Sequence, residues 1–361
     1  MDFERIPSLQ CLSGVKIALA VIYHPDVVTS LEQHCPLFHP ARLRVVLLLI
    51  GDKISKLTLP KKCCEKIGNI ALNMLRELVR WKELHEFDFS LSQMSITAPC
   101  WTALGTIDET KSARKFFHVP YLGIGRRFKL ACQYCFFYDA TSMWEAMSKE
   151  KIYGVDFHSN LACWIRVHSD GSRCLESFVS WIEPRITSCN IHEFHLILGK
   201  KTPAERMHIM RTAALNENVS ADIKFFCFQQ LDKDTQQEVL EKFPVAVIHC
   251  FFRWPFQRYF LDLKDQIWTC ISPEDFRCTI RSFLIEMVNC SWKNFELVEI
   301  FQQLWHRSPA HFKDHAIQSS MSEPIQILNN CSGLKRWRFL NRLREAFQNY
   351  MRSFEKVEFN Y

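Results

Sequence analysis

Between residues 260 and 271 the apolar side chains Phe260, Leu263, Ile267 and Ile271 recur at steps of three and four, with Asp262, Lys264, Asp265 and Gln266 between them. That period draws one apolar stripe along one face of a helix. Phe295, Val298, Phe301 and Leu304 repeat the pattern, and the two stripes lead to Trp268 and Trp305. After each tryptophan the chain reads as the start of another helix. Ser272 is of a type that caps free backbone N–H groups, and Pro273 at the first helical position gives up an N–H that would have no partner there. Glu274 and Asp275 then bring negative charge to the positive helix end. Ser308 and Pro309 repeat the arrangement, and Ser148 with Glu150, after Trp144, forms a version without proline. Trp144, Trp268 and Trp305 read as packing knobs at helix ends. In "TPAERM", Thr202 as cap, Pro203 next and Glu205 at the third position predict a capping box. In "GTIDET", Gly105 is placed to close one helix and Thr106 with Glu109 to open the next.

These signals divide the chain into many helices of about 10 to 16 residues joined by brief turns. The predicted fold class is all-α, as stacked antiparallel helix pairs in an irregular α-solenoid-like array. "QIWTCISPEDF" from 266 and "QLWHRSPAHF" from 303 lie 37 residues apart, a period typical of two-helix repeats. Residues 1–120 read as an N-terminal helical region, with helices at 12–23, 40–50, 63–85, 94–104 and 107–118. "HVPYLGIGRR" at 118–127 gathers proline and glycine and marks the boundary to a helix-pair region, 121–318, whose pattern is noisier over 152–200. Residues 319–361 hold the C-terminal helices. They end on an amphipathic helix at 333–356 with Trp337, Leu340, Leu343, Phe347, Tyr350 and Phe354 along one side. The three regions read as one continuous array.

Composition sharpens this picture. Ten glycines in 361 residues are under half the ordinary share of about 7%, which counts against hairpin-rich sheets and phosphate-binding loops. The 29 phenylalanines and 10 tryptophans supply large knobs for helix packing. Many of the 16 cysteines lie in apolar stretches, Cys132, Cys227, Cys250 and Cys270 among them, and read as reduced core thiols of a cytoplasmic protein. Lys16 interrupts the first apolar run and "VVLLLI" at 45–50 is far short of about 20 residues, so no membrane span is expected. A net charge of +6 permits acidic partners without requiring them.

Candidate chemistry is sparse. Cys189, His192 and His195 are spaced by three, so on a helix they share a face, and Cys163, His168 and Cys174 lie upstream. Zinc takes such ligands, but the paired-cysteine knuckle of a structural zinc site is missing, so a buried cysteine beside exposed histidines is the favoured reading and no cofactor is expected. "HEFH" falls one residue short of His-Glu-x-x-His. Cys132 and Cys135 form a Cys-x-x-Cys, here placed inside an amphipathic helix with no preceding strand, and read as core thiols. "GIGRRF" at 123–128 lacks the third glycine of a dinucleotide loop, and "LGKKT" at 198–202 has Phe194 where a phosphate loop needs its first glycine. Lys335, Arg336, Arg338, Arg342, Arg344 and Arg352 ride beside the C-terminal aromatic stripe. Such a helix suits an acidic protein, an acidic membrane or nucleic acid; the polar-faced cap of a solenoid is the favoured reading.

"CWTALGTIDETKSARK" (100–115), "RRFKLACQYCFFYDATSMWEAMSKE" (126–150) and "WKNFELVEIFQQLWHRSPAHFK" (292–313) resemble segments of a large, divergent group of helical proteins from spiders. The likeness spans most of the chain, with Leu104 standing where that group has phenylalanine. The resemblance implies an all-helical fold and carries over no activity, ligand or functional residue. The expected function is a non-enzymatic scaffold whose partner is another protein. The alternatives are a zinc- or thiol-dependent enzyme using the 163–195 cluster, and a nucleic-acid or acidic-partner binder using the basic terminal helix. Oligomeric state leaves no mark in the sequence.

Overall fold

The computed structural model describes residues 8–34, 40–86, 99–119, 122–147, 164, 174–252, 254–257, 267–289, 295–318, 321–330, 342–343, 345–347 and 349. Among them every regular element is a helix, matching the all-α class expected from the sequence, and one antiparallel bridge joins Trp101 to Ile107. They divide into two units. The first takes in the residues up to Thr58 together with Met74–Asp232, the second Leu59–Asn73 together with the residues from Lys233 on.

In the first unit α1 (Leu9–Ile22), α2 (Pro25–His34) and α3 (Pro40–Ser55) pack on one another. Ser8 opens α1 by accepting a hydrogen bond from the Cys11 N–H at 3.2 Å. Residues 74–86 of α4 (Lys61–Glu86) follow, then α5 (Glu109–Phe117), α6 (Ile124–Gln133) and α7 (Phe137–Ala146). Next come α8 (Leu175–Ile182) with a 3₁₀ turn at Glu183–Arg185, α9 (Ile191–Gly199), α10 (Pro203–Ala214) and α11 (Ala221–Gln230). Helix α6 packs on both α5 and α7, α8 on α9, and α11 on both α9 and α10. Rings carry much of the core. Trp164 and Phe178 are fully buried with centroids 4.1 Å apart, and Phe137 adjoins both. Full burial of a side chain of phenylalanine size contributes about 1.5–3 kcal/mol.

The second unit holds residues 61–73 of α4, then α12 (Lys233–Lys242), α13 (Pro244–Phe251), α14 (Ile267–Cys270), α15 (Pro273–Asn289), α16 (Phe295–Arg307), α17 (Ala310–Ile317) and α18 (Ser322–Asn329). Helix α15 buries Phe276, Ile280, Phe283, Leu284 and Met287, a stripe at helical spacing, and packs on α13 and α17. Prolines open helices as expected: Pro25, Pro40, Pro203, Pro244 and Pro273 are each the first residue of theirs.

Several expectations need correction. The helix expected at 94–104 is absent over 99–104, the part that is described: Trp101 pairs with Ile107, and Thr102 and Thr106 bond through backbone and hydroxyls. Gly105, at φ +82°, makes the turn between them instead of ending a helix, and Asp108, not Thr106, caps α5 by accepting from the Lys111 N–H at 3.0 Å. Ser308 does not cap α17. Its hydroxyl donates to the Trp305 carbonyl at 2.8 Å, tying off the end of α16, and Pro309 takes the cap position without a side-chain bond. Helix α2 is absent from the sequence reading; among its described side chains Val27, Ser30 and Leu31 are buried, a short stripe. Ser148, Glu150, Phe260 and Leu263 lie outside the described residues.

Candidate functional site

Helix α4 carries an apolar stripe, Met74, Leu75, Leu78 and Trp81, and the next position in phase is His85. A histidine there is buried by the helix's own period, and its polar nitrogens need partners. Both find one. Nδ1 lies 2.7 Å from the Trp81 carbonyl and Nε2 lies 2.8 Å from the Tyr134 hydroxyl at the end of α6. A carbonyl oxygen only accepts, so Nδ1 carries a hydrogen. With the imidazole neutral, Nε2 then accepts from the Tyr134 O–H. His85 is 1% exposed and Tyr134 3%. Burial, with the Glu109 charge adding to it, pushes the Tyr134 hydroxyl well above its ordinary pKa, so it stays protonated and donating.

Tyr134 in turn faces His192, the second residue of α9, with ring centroids 4.5 Å apart. The Nε2 atom of His192 lies 3.7 Å from Oε2 of Glu109, the first residue of α5, whose Oε1 accepts from Arg80 at 3.2 Å. Arg80 also reaches Glu77 at 3.3 Å. Burial works against the Glu109 carboxylate, yet the hydrogen bond from His192 and the Arg80 charge hold it below the usual carboxylate range. A carboxylate at the start of a helix also meets the positive end of the helix dipole. The result is a graded network: Arg80 is 61% exposed, Glu109 27% and His192 15% by side chain, and behind them Tyr134 and His85 are enclosed. Its chemistry is proton-holding and cross-linking. It ties residues distant in sequence on α4, α5, α6 and α9 together.

The residues singled out from sequence fall elsewhere. Cys189, His192 and His195 do not converge. Asn190 caps α9 in a full capping box with Glu193, so Cys189 sits before the helix and out of its phase. Its thiol donates to the Ile186 carbonyl, and burial pushes its pKa up to about 12. His195 lies against Phe226, centroids 4.5 Å apart. Among the described residues no group of three or more His, Cys, Asp or Glu is placed to hold a metal ion. Cys163 and His168 lie outside those residues. Cys174 is exposed at the start of α8, where hydrogen bonds from Ser177 hold its thiol below the ordinary value.

Cys132 and Cys135 are not in one helix. Cys132 is buried in α6, whereas Cys135 has φ +55° in the turn that follows. There the Phe136 N–H donates to the Ala131 carbonyl at 2.8 Å and the Cys135 N–H to Cys132 at 3.3 Å, a helix-ending turn of the Schellman type. Trp144, Trp268 and Trp305 do pack against rings: Trp144 on Phe128 at 5.8 Å, Trp268 on Phe276 at 5.8 Å, and Trp305 on Phe301 at 6.2 Å. All three are half-buried. Ser272 and Pro273 open α15 as expected, through reciprocal bonds between Ser272 and Asp275. Of the basic terminal helix, Lys335, Arg336, Arg338, Arg344 and Arg352 lie outside the described residues; Arg342 is exposed, and Leu343 and Phe347 are buried.

Among the described residues no single helix is long and apolar enough to cross a membrane. The bent pair α1 and α2 has the length and composition, but buries Val15, Ala18, Ile22, Val27 and Leu31 within the protein. No protein-family model matches the chain, and no curated protein is similar to it.

Proposed function

We propose that the chain is a non-enzymatic helical scaffold that binds a protein partner through α1 and α3. The observation that carries this reading is a set of large apolar side chains left in water on two helices that pack together. On α3, Val45 and Leu48 lie three residues apart, hence on one face, and are 42% and 60% exposed; Leu9 on α1 is 79% exposed. Exposed apolar side chains sharing one helix face, as Val45 and Leu48 do, are the kind of surface a partner protein covers. An array of stacked helix pairs is the architecture that fits. Helices pack on their next-but-one neighbours, α9 on α11, α13 on α15, α15 on α17 and α16 on α18, as they do when successive pairs stack. The polar network of Arg80, Glu109, His192, Tyr134 and His85 serves such a scaffold as internal bracing.

The test is affinity capture of the full chain in an extract of its native source, beside Leu9→Glu and Leu48→Glu. A protein held in stoichiometric amount by the wild type and lost by both variants, all three melting at the same temperature, is the expected result. Equal retention by the variants overturns the assigned face. Capture of nucleic acid with an affinity that falls steeply with salt replaces the reading altogether.

A further inference from the structure

Helix α10 packs on α11 and buries one stripe, Met210, Ala213 and Ala214. Carried back by the helical period, the same side continues through Pro203, Arg206 and Met207. These three are exposed, as are their neighbours Ala204, Glu205 and His208, so the first two turns of α10 form an overhang whose underside is uncovered. So short a stretch does not stay helical by propensity alone. Here local bonds hold it: Thr202 and Glu205 close the capping box, Pro203 opens the helix, and Arg206 donates from Nε to the Lys201 carbonyl at 2.9 Å. The overhang is thus preformed, and a ligand docking there has little backbone to order.

Charge decides what this surface accepts. From Lys200 to Thr212 the chain carries Lys200, Lys201, Arg206 and Arg211 against a single carboxylate, Glu205. Lys200 is answered by Glu176 and Lys201 by Glu183, while Glu205 turns to the Thr202 N–H and hydroxyl at 2.8 and 2.6 Å. Among the described residues no carboxylate pairs with Arg206. Its guanidinium has the fork geometry that takes a carboxylate through two parallel hydrogen bonds. Met207 beside it, 38% exposed, is an apolar side chain that adapts to irregular contacts. A second copy of the chain would set arginine against arginine across a shared axis, so the face does not suit self-association. We propose that the overhang of α10 docks an acidic segment of a partner protein, with a carboxylate on Arg206 and an apolar side chain against Pro203 and Met207. This surface is distinct from Leu9, Val45 and Leu48 on α1 and α3, and stands whether or not that face binds.

The experiment is fluorescence anisotropy of a short labelled peptide of glutamate and leucine titrated with the full chain, beside the same peptide carrying lysine for glutamate. The glutamate peptide should bind and the lysine peptide should not. Arg206→Glu should weaken binding about tenfold, the loss of one charge-assisted hydrogen bond, and Met207→Ser about two- to fourfold. Lys56→Glu, the same change of charge on α3, should leave the affinity within about twofold, since exposed charges away from the site are screened. No binding by the wild type, equal binding of the two peptides, or equal affinity of wild type and Arg206→Glu overturns the proposal. A loss as large in Lys56→Glu also overturns it, by reducing the effect to net charge. Should Arg206→Glu not fold, Arg206→Gln decides: it lacks the charge yet keeps a donor for the Lys201 carbonyl, and an affinity equal to the wild type refutes the acidic partner. Protein capture through Leu9 and Leu48 that persists while the peptide fails removes the α10 surface alone.

Discussion

Phe276 has no surface in water and touches three rings, Trp268 at 5.8 Å, Trp305 at 6.1 Å and Phe312 at 5.5 Å. Its removal opens a cavity that neighbours on different helices cannot close together, whereas Trp268, half-buried, leaves a notch that water fills. Phe276→Ala should therefore cost about 3–5 kcal/mol and Trp268→Ala about half of that, measured as shifts in urea midpoint at constant slope. A larger loss for Trp268 would mean that ring area, not enclosure, sets the cost. Backbone conformation acts at the same scale. Gly105 holds φ +82°, and a Cβ there would lie 3.2 Å from Met74 Cγ and 3.3 Å from Val15 Cγ2. Strain and contact add, so Gly105→Ala should lower stability by roughly 1–2 kcal/mol, read in the same unfolding experiment.

Helix ends show how far local chemistry determines an element. Thr202 exchanges hydrogen bonds with Glu205, the Thr202 N–H donating at 2.8 Å and the Glu205 N–H returning one at 3.4 Å, all within a span of three residues. Such a cap depends on nothing distant, so it was legible in the sequence, as was the cap at Ser272. Ser308-Pro309 looks the same in sequence, yet Ser308 is buried behind Trp305 and its hydroxyl turns back to the preceding helix. The end of α6 was illegible for another reason: the residue in left-handed conformation is Cys135, where glycine would have signalled the stop. That departure has a measurable consequence. Cys135→Gly should stabilise the chain by about 0.5–1 kcal/mol, because glycine adopts φ +55° without the Cβ clash, partly offset by its greater freedom when unfolded. A thermal midpoint that falls instead would show that the half-buried thiol's packing outweighs the strain relieved. The polar network follows the same division. His85 in phase with an apolar stripe was a local sign of a buried, bonded imidazole, but its partners Tyr134, Glu109 and His192 come from other helices and only packing brings them together.

At the scale of the whole molecule these buried groups determine how acid acts on stability. His249 on α13 has its Nε2 buried without a hydrogen-bond partner, and burial lowers its pKa below the ordinary value of 6.5. A histidine of this kind binds its proton more readily in the unfolded chain, so its contribution is complete above about pH 6.5 and is lost as pH falls through the folded value. Glu109 has the same sign lower down: held below 4.5, it contributes fully above that and loses its contribution only in stronger acid. Between pH 5 and 6.5 the two therefore separate, and there His249 weakens the fold as it takes up its proton. The urea midpoint should stay level from pH 8 to about pH 7 and decline below about pH 6, and His249→Leu, which removes the site without leaving a polar orphan, should flatten that decline. A decline that persists unchanged in His249→Leu would show that the proton resisted by burial is taken up at another group.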